Sequence, residues 1–187
     1  MNPHWLPWVR QHLTLLLQGQ PGLQPEQLAA ADRTLVEPGA CFVTLSLHGQ
    51  LRGCIGSLEP YRSLAIDLLE NSVAAARHDP RFSPLTLAEL AQVRIELSLL
   101  TQPQPLAYRD GADLMQQLQP GVHGVILSQG GRRATFLPQV WHQLPDPVDF
   151  LAHLCAKAGL SGDCWQHHPS ILTYTVEKIC EQEGDHG

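Results

Sequence analysis

The sequence predicts an α+β protein with a largely antiparallel sheet. Three observations carry this. Alternating apolar and polar segments come in pairs around short turns, further alternating segments stand alone, and amphipathic helical stretches are interspersed among them. A doubly wound parallel sheet is the weaker alternative, because parallel neighbours need long crossovers and these strands are joined by short links. The first pair runs from Cys41 to Leu47 and from Leu51 to Ser57, around His48-Gly49-Gln50. The second runs from Val122 to Ser128 and from Arg133 to Leu137, around Gln129-Gly130-Gly131.

The remaining elements follow in order. Pro7 opens a helix toward Gln18, with Val9, Leu13, Leu16 and Leu17 as its apolar stripe, and Gly19-Gln20-Pro21-Gly22 stops it. A second helix covers Pro25 to Val36. In the first hairpin, a three-residue link pairs Leu47 with Leu51, Leu45 with Gly53 and Thr44 with Cys54. That register sends Leu51 and Ile55 to the core face with Val43 and Leu45, and puts Arg52 and Cys54 together on the other. A helix from Pro60 to Arg77 follows, then a short one from Leu87 to Ala91 started by the Thr86/Glu89 capping box. Val93 to Leu99 is a strand, and Asp110 to Leu118 a helix. Asp146-Pro147 starts another helix that Gly159 stops, and Ile171 to Ile179 closes the chain as one strand. No linker cuts the chain, so one domain is expected over residues 1–187, possessing at most a small subdomain. Residues 1–12 and 181–187 are expected to be peripheral.

Composition excludes several classes. With 43% hydrophobic and 16% charged residues, the 187-residue chain can bury a core and is not intrinsically disordered. No apolar run approaches the roughly 18 residues of a membrane helix, and the first residues do not resemble a secretion signal. A net charge of −6 with scattered arginines argues against nucleic acid as a partner. A cytoplasmic setting is expected. Five cysteines without a C-x-x-C pair point to neither a disulfide scaffold nor a structural zinc site. Cys155 fits the apolar face of its helix as a small hydrophobe, and the patch of His153, Cys155, Cys164, His167 and His168 reads as helix and loop surface.

The segment Leu51-Arg52-Gly53-Cys54-Ile55-Gly56-Ser57 is unusual. Glycine weakens a strand, so Gly53 and Gly56 imply a close approach to the backbone. A positive charge at Arg52 beside Cys54 would favour the thiolate, the nucleophilic form. The plainer reading keeps Cys54 as a small buried residue and the glycines as packing.

Phe42-Val43-Thr44-Leu45 followed by Leu51 to Pro60 resembles the signature of the AMMECR domain family, whose bacterial and archaeal members are called AmmeMemoRadiSam system protein A. Four later stretches agree in order: Asp79-Pro80-Arg81-Phe82-Ser83-Pro84-Leu85, Glu96 to Leu100, Gly121-Val122-His123-Gly124-Val125, and Phe136 to Val140. Lys157 to Leu160 with Trp165 completes the series. The resemblance implies an α+β fold and association with a Memo-like protein and a radical S-adenosylmethionine enzyme, but no reaction. It also draws attention to further residues. Arg81 is a substrate-binding cation or a clamp on carbonyls or an acid. His123 is a general base or a turn residue. Glu59 is a cleft acid or a helix-start carboxylate. Thr44 is a donor to the Cys54 sulfur or a strand-packing residue.

Two functions follow. The first is an enzyme or enzyme component with Cys54 as nucleophile or covalent acceptor, Arg52 favouring the thiolate and His123 moving protons. In it Thr44, Gly53, Gly56, Glu59 and Arg81 bind the ligand. The second is a non-catalytic accessory subunit for the Memo-like and radical proteins. Phosphate-loop, dinucleotide, serine-elbow and iron–sulfur patterns are missing, so no cofactor is expected. Metal binding by Cys54 with His48 or His123 is a minor third reading.

Overall fold

The computed structural model describes residue 2 and residues 4–182. The chain folds as two compact units. One holds the residues up to Leu100 and the segment from Glu177 onward, and the other is Thr101–Val176.

The first unit opens with α1 (Trp5–Leu17) and α2 (Pro25–Ala31). Asp32 ends α2, and its carboxylate accepts from the Thr34 N–H to start a separate 3₁₀ turn over Arg33–Val36, so the single helix expected to Val36 is two elements. Trp5, Leu6 and Val9 are buried core, which corrects the expectation that residues 1–12 are peripheral. Strands β1 (Ala40–Leu47) and β2 (Gln50–Gly56) form the expected hairpin. Helix α3 (Leu64–Arg77) crosses its core face and starts later than Pro60, with Ser63 at its N-cap. Then come α4 (Leu87–Leu90), with both bonds of the Thr86/Glu89 capping box, and β3 (Val93–Leu100). Strand β3 pairs with β1 from Ala40↔Leu100 to Leu47↔Val93.

The second unit contains β4 (Gln104–Pro105), α5 (Gly111–Gln117), β5 (Gly124–Gln129), β6 (Arg132–Phe136), α6 (Pro147–Lys157) and β7 (Ser170–Tyr174). Asp146 caps α6 as its sequence position predicts, and Asp110, expected as the first helical residue, is the N-cap of α5. Its sheet runs β4-β7-β5-β6, over a core that includes Phe150, Leu151, Leu154 and Leu127. Cys155 and Cys164 form a disulfide, with Cα atoms 5.9 Å apart. Cys155 is therefore no free hydrophobe: α6 delivers it to the 3₁₀ turn at Cys164–Gln166.

The closing strand is also two. After Tyr174 the chain leaves β7 and enters β8 (Val176–Cys180), which joins the first unit's sheet in the order β2-β1-β3-β8. Glu181, which follows, is 5% exposed and not peripheral: Arg10 grips its carboxylate with Nε and Nη2. Among the described residues no helix is long and apolar enough to cross a membrane.

Candidate functional site

The turn between β1 and β2 has two residues, His48 and Gly49, with φ of 51° and 76°. Left-handed geometry at both positions suits a tight hairpin. Leu47 thus pairs with Gln50 and Ser46 with Leu51, not Leu47 with Leu51 as expected. Leu51 is on the solvent side, 43% exposed. The register then shifts at a bulge, leaving Arg52 without a cross-strand partner, and Leu45↔Gly53 and Thr44↔Cys54 are restored. Arg52 is not across from Ser46 as expected, because Leu51 takes that place.

Arg52 is nearly buried, and its Nε and Nη2 bond the Glu89 carboxylate at 2.9 and 3.2 Å. That pairing, followed by the Thr86 N–H, pushes the Glu89 pKa down to about 2. Arg52 therefore ties the bulge to α4. The two glycines are explained by the chain itself. A methyl at Gly53 would overlap the Ala75 carbonyl of α3, and one at Gly56 the Phe42 ring.

Strand β2 is an edge, so alternate backbone groups lack a strand partner. At Cys54 side chains supply one. Its N–H donates to Asp79 Oδ2 at 2.9 Å, and its carbonyl accepts from Arg81 Nη2 at 3.2 Å. Because both groups point away from β1, Thr44 and Cys54 form a non-hydrogen-bonded pair, in which side chains approach most closely. The Thr44 hydroxyl accordingly donates to Cys54 Sγ at 3.3 Å. The thiol is half-buried and free.

Asp79 is 3% exposed and takes Nε and Nη2 of Arg81 at 2.9 and 2.7 Å, which holds its carboxyl below the usual range. The Arg81 pKa is raised, chiefly by Asp79, and the Cys54 thiolate acts in the same direction. Arg81 thus bridges the Asp79 carboxylate and the Cys54 carbonyl. It is the clamp on a carbonyl and an acid that its sequence position allowed.

Elsewhere in the first unit, Ser57 Oγ donates to the fully buried Asp67, which also receives the Cys41 N–H, Arg62 Nε and Asn71 Nδ2. This network anchors the far end of β2. The Cys41 thiol beside it is pushed up by burial and then by Asp67, so it is a poor nucleophile. Cys180 is exposed, and Arg94 Nη2 donates to its sulfur at 2.9 Å. Glu59 is exposed and precedes Ser63, so it is not a helix-start carboxylate. His123 belongs to the second unit. Its Nδ1 accepts from the Gln119 N–H at 3.2 Å, its carbonyl accepts from Trp141 Nε1, and burial lowers its pKa.

Asp79 and Glu89 were not among the expected site residues. The available signal was strand β2's need for side-chain partners, together with an acid two residues before Arg81.

A family model described as AMMECR1 matches residues 6–179. The chain belongs to the AMMECR1 family. A protein of Methanothermobacter thermautotrophicus is 40% identical over 145 residues, covering 76% of this chain and 75% of that one. One of Thermofilum pendens is 43% identical over 141 residues, covering 73% of this chain and 62% of its own length. Among solved structures, the uncharacterised protein PH0010 of Pyrococcus horikoshii is similar with a TM-score of 0.73 and 28% identity. That match covers 96% of this chain and 90% of the other. The α+β architecture and the family expected from the sequence both hold.

Proposed function

We propose that this AMMECR1-family protein is an enzyme component whose Cys54 is a nucleophile or covalent acceptor. The observation that carries the reading is a half-exposed free thiol whose own N–H and carbonyl are both held by side chains, with a hydroxyl proton aimed at its sulfur. Such fixation preorganises a sulfur while leaving it reachable. The sulfur forms a bond to an electrophilic centre, the leaving group departs with the bonding pair, and the thiol proton passes to solvent. Thr44 donates a hydrogen bond to the sulfur, and Arg81 with Asp79 fixes the Cys54 backbone. The family resemblance adds a Memo-like protein and a radical S-adenosylmethionine enzyme as the partners served, in a cytoplasmic setting.

The accessory-subunit reading has its own support. Both arginines beside the hairpin are already paired with carboxylates, which suits a rigid binding surface as well as a reaction centre. Iodoacetamide labelling in a Cys41→Ala, Cys180→Ser background separates the two. Labelling of Cys54 in the folded protein, together with loss of system activity in Cys54→Ser, supports the covalent role. Labelling only in urea, or full activity of Cys54→Ser, rejects it, and co-purification with the two partners then becomes the measurement of interest.

A further inference from the structure

We propose that the edge of β2 beside Cys54 binds a carboxylate, so that the molecule whose electrophilic centre meets the thiol is a small ionised carboxylic acid. The ligand's class comes from Arg81 and Arg52, and its covalent fate rests on the Cys54 reading above.

The spare donors of Arg81 fix the place. A guanidinium holds five N–H bonds in a rigid plane, and Nη2 belongs to two edges, one shared with Nε and one with Nη1. Asp79 takes the Nε/Nη2 edge of Arg81 at 2.9 and 2.7 Å. The other Nη2–H goes to the Cys54 carbonyl at 3.2 Å. An Nη1–H runs parallel to it and therefore points alongside that carbonyl. Nη1 has no partner among the described residues. The Arg81 side chain is 54% exposed, so this donor is open to a ligand.

Arg52 repeats the arrangement with less solvent around it. Glu89 takes its Nε and Nη2, and its Nη1 is left without a partner among the described residues, although Arg52 is only 9% exposed. A nearly enclosed cation with a spare donor attracts an anion more strongly than one in open water. Both guanidinium groups lie over the Phe82 ring, with Cζ 5.9 and 5.5 Å from its centroid, which gathers them into one patch.

Charge selects the anion. Asp79 and Glu89 already offset the two arginines, so a phosphate dianion would set its second charge against two carboxylates. A carboxylate carries a single charge, and its planar oxygens match guanidinium donors. A neutral ligand would lose the charge assistance.

Alkylation of Cys54 in the Cys41→Ala, Cys180→Ser protein by iodoacetate and by iodoacetamide tests this, since the reagents differ only as carboxylate against amide. Each rate is divided by that of the urea-unfolded chain, and the ratio of the two cancels any change in the thiol itself. A preference of about tenfold for iodoacetate is expected, the contribution of one charge-assisted hydrogen bond. It is expected to vanish in Arg81→Lys, which keeps a cation for Asp79 but has no second donor edge. In parallel, the Arg81 Nε–H NMR signal of Cys54→Ser is expected to shift saturably with propionate. No preference before the Arg81 substitution, or a preference retained after it, overturns the carboxylate site while the covalent reading stands. Labelling by neither reagent in the folded protein rejects the covalent reading, and the propionate titration then decides the site by itself. Absence of a saturable shift, or tighter binding of inorganic phosphate, overturns it.

Discussion

The two units treat cysteine in opposite ways. In the second, α6 and the following 3₁₀ turn bring Cys155 and Cys164 together in a buried disulfide, so both sulfurs serve as a staple. In the first, Cys54 stays free and half-exposed, and the fixing is done through its backbone by Asp79 and Arg81. Polar side chains hold the residue while the sulfur remains available. A cysteine's role is thus set by which of its atoms the fold engages, and strand or helix position alone does not decide it.

The largest effect is expected from Gly53→Ala. A methyl there collides with the Ala75 carbonyl, which helix backbone cannot easily move aside, and the cost should be about 3 kcal/mol in urea unfolding. A near-neutral result would mean that α3 does not set the position of β2 and hence of Cys54. Next in size is cleavage of the staple. With a sequence separation of 9, chain entropy puts the loss from Cys155→Ala with Cys164→Ala at about 2–3 kcal/mol. Cys54 labelling should not change in that variant, and an altered rate would break the contrast between the units.

A smaller effect concerns acid. The Glu89 pKa is depressed from 4.5 to about 2 by Arg52 first and then by the Thr86 N–H. Its unfolded form binds the proton more readily, so its contribution to stability is complete above pH 4.5 and is lost as pH falls through about 2. Arg52→Ala should move the Glu89 carboxyl titration, followed by NMR, back toward 4.5 and flatten the acid limb of stability. Smallest is Thr44→Val, which removes the hydroxyl from the sulfur with little change of shape. A roughly threefold slower Cys54 alkylation is expected, with stability nearly unchanged.

What the sequence revealed depended on the range of the interactions. The caps at Thr86 and Asp146 were legible because each bonds an N–H within three residues. The Thr44–Cys54 pairing was legible because Val43, Leu45 and Ile55 constrain parity. The hairpin tip was not, because a shorter turn plus a bulge reaches the same register beyond Arg52 as a longer turn without one. The break after Tyr174 had no marker either. Ile171 to Val176 is an unbroken β-favouring run, and only the competition between two sheets divides it. Within the site, Cys54, Thr44 and Arg81 were legible. Asp79 and Glu89 were not, since the residues they fix, Cys54 and Arg52, lie 25 and 37 positions away.

The path of the chain through the two sheets also orders events during synthesis. Thr101–Val176 is continuous, so the second unit is complete in the nascent chain before the first. The first unit can assemble β2, β1 and β3 early, but β8 must wait until the whole second unit has been translated. Arg10 waits longer still, because its carboxylate partner Glu181 lies 171 residues downstream. Until Glu181 emerges from the ribosome, β3 has an uncovered flank, and Arg10 of α1 has the Leu90 and Val93 carbonyls but no carboxylate. The part of the protein that carries Cys54 therefore starts folding first and finishes last.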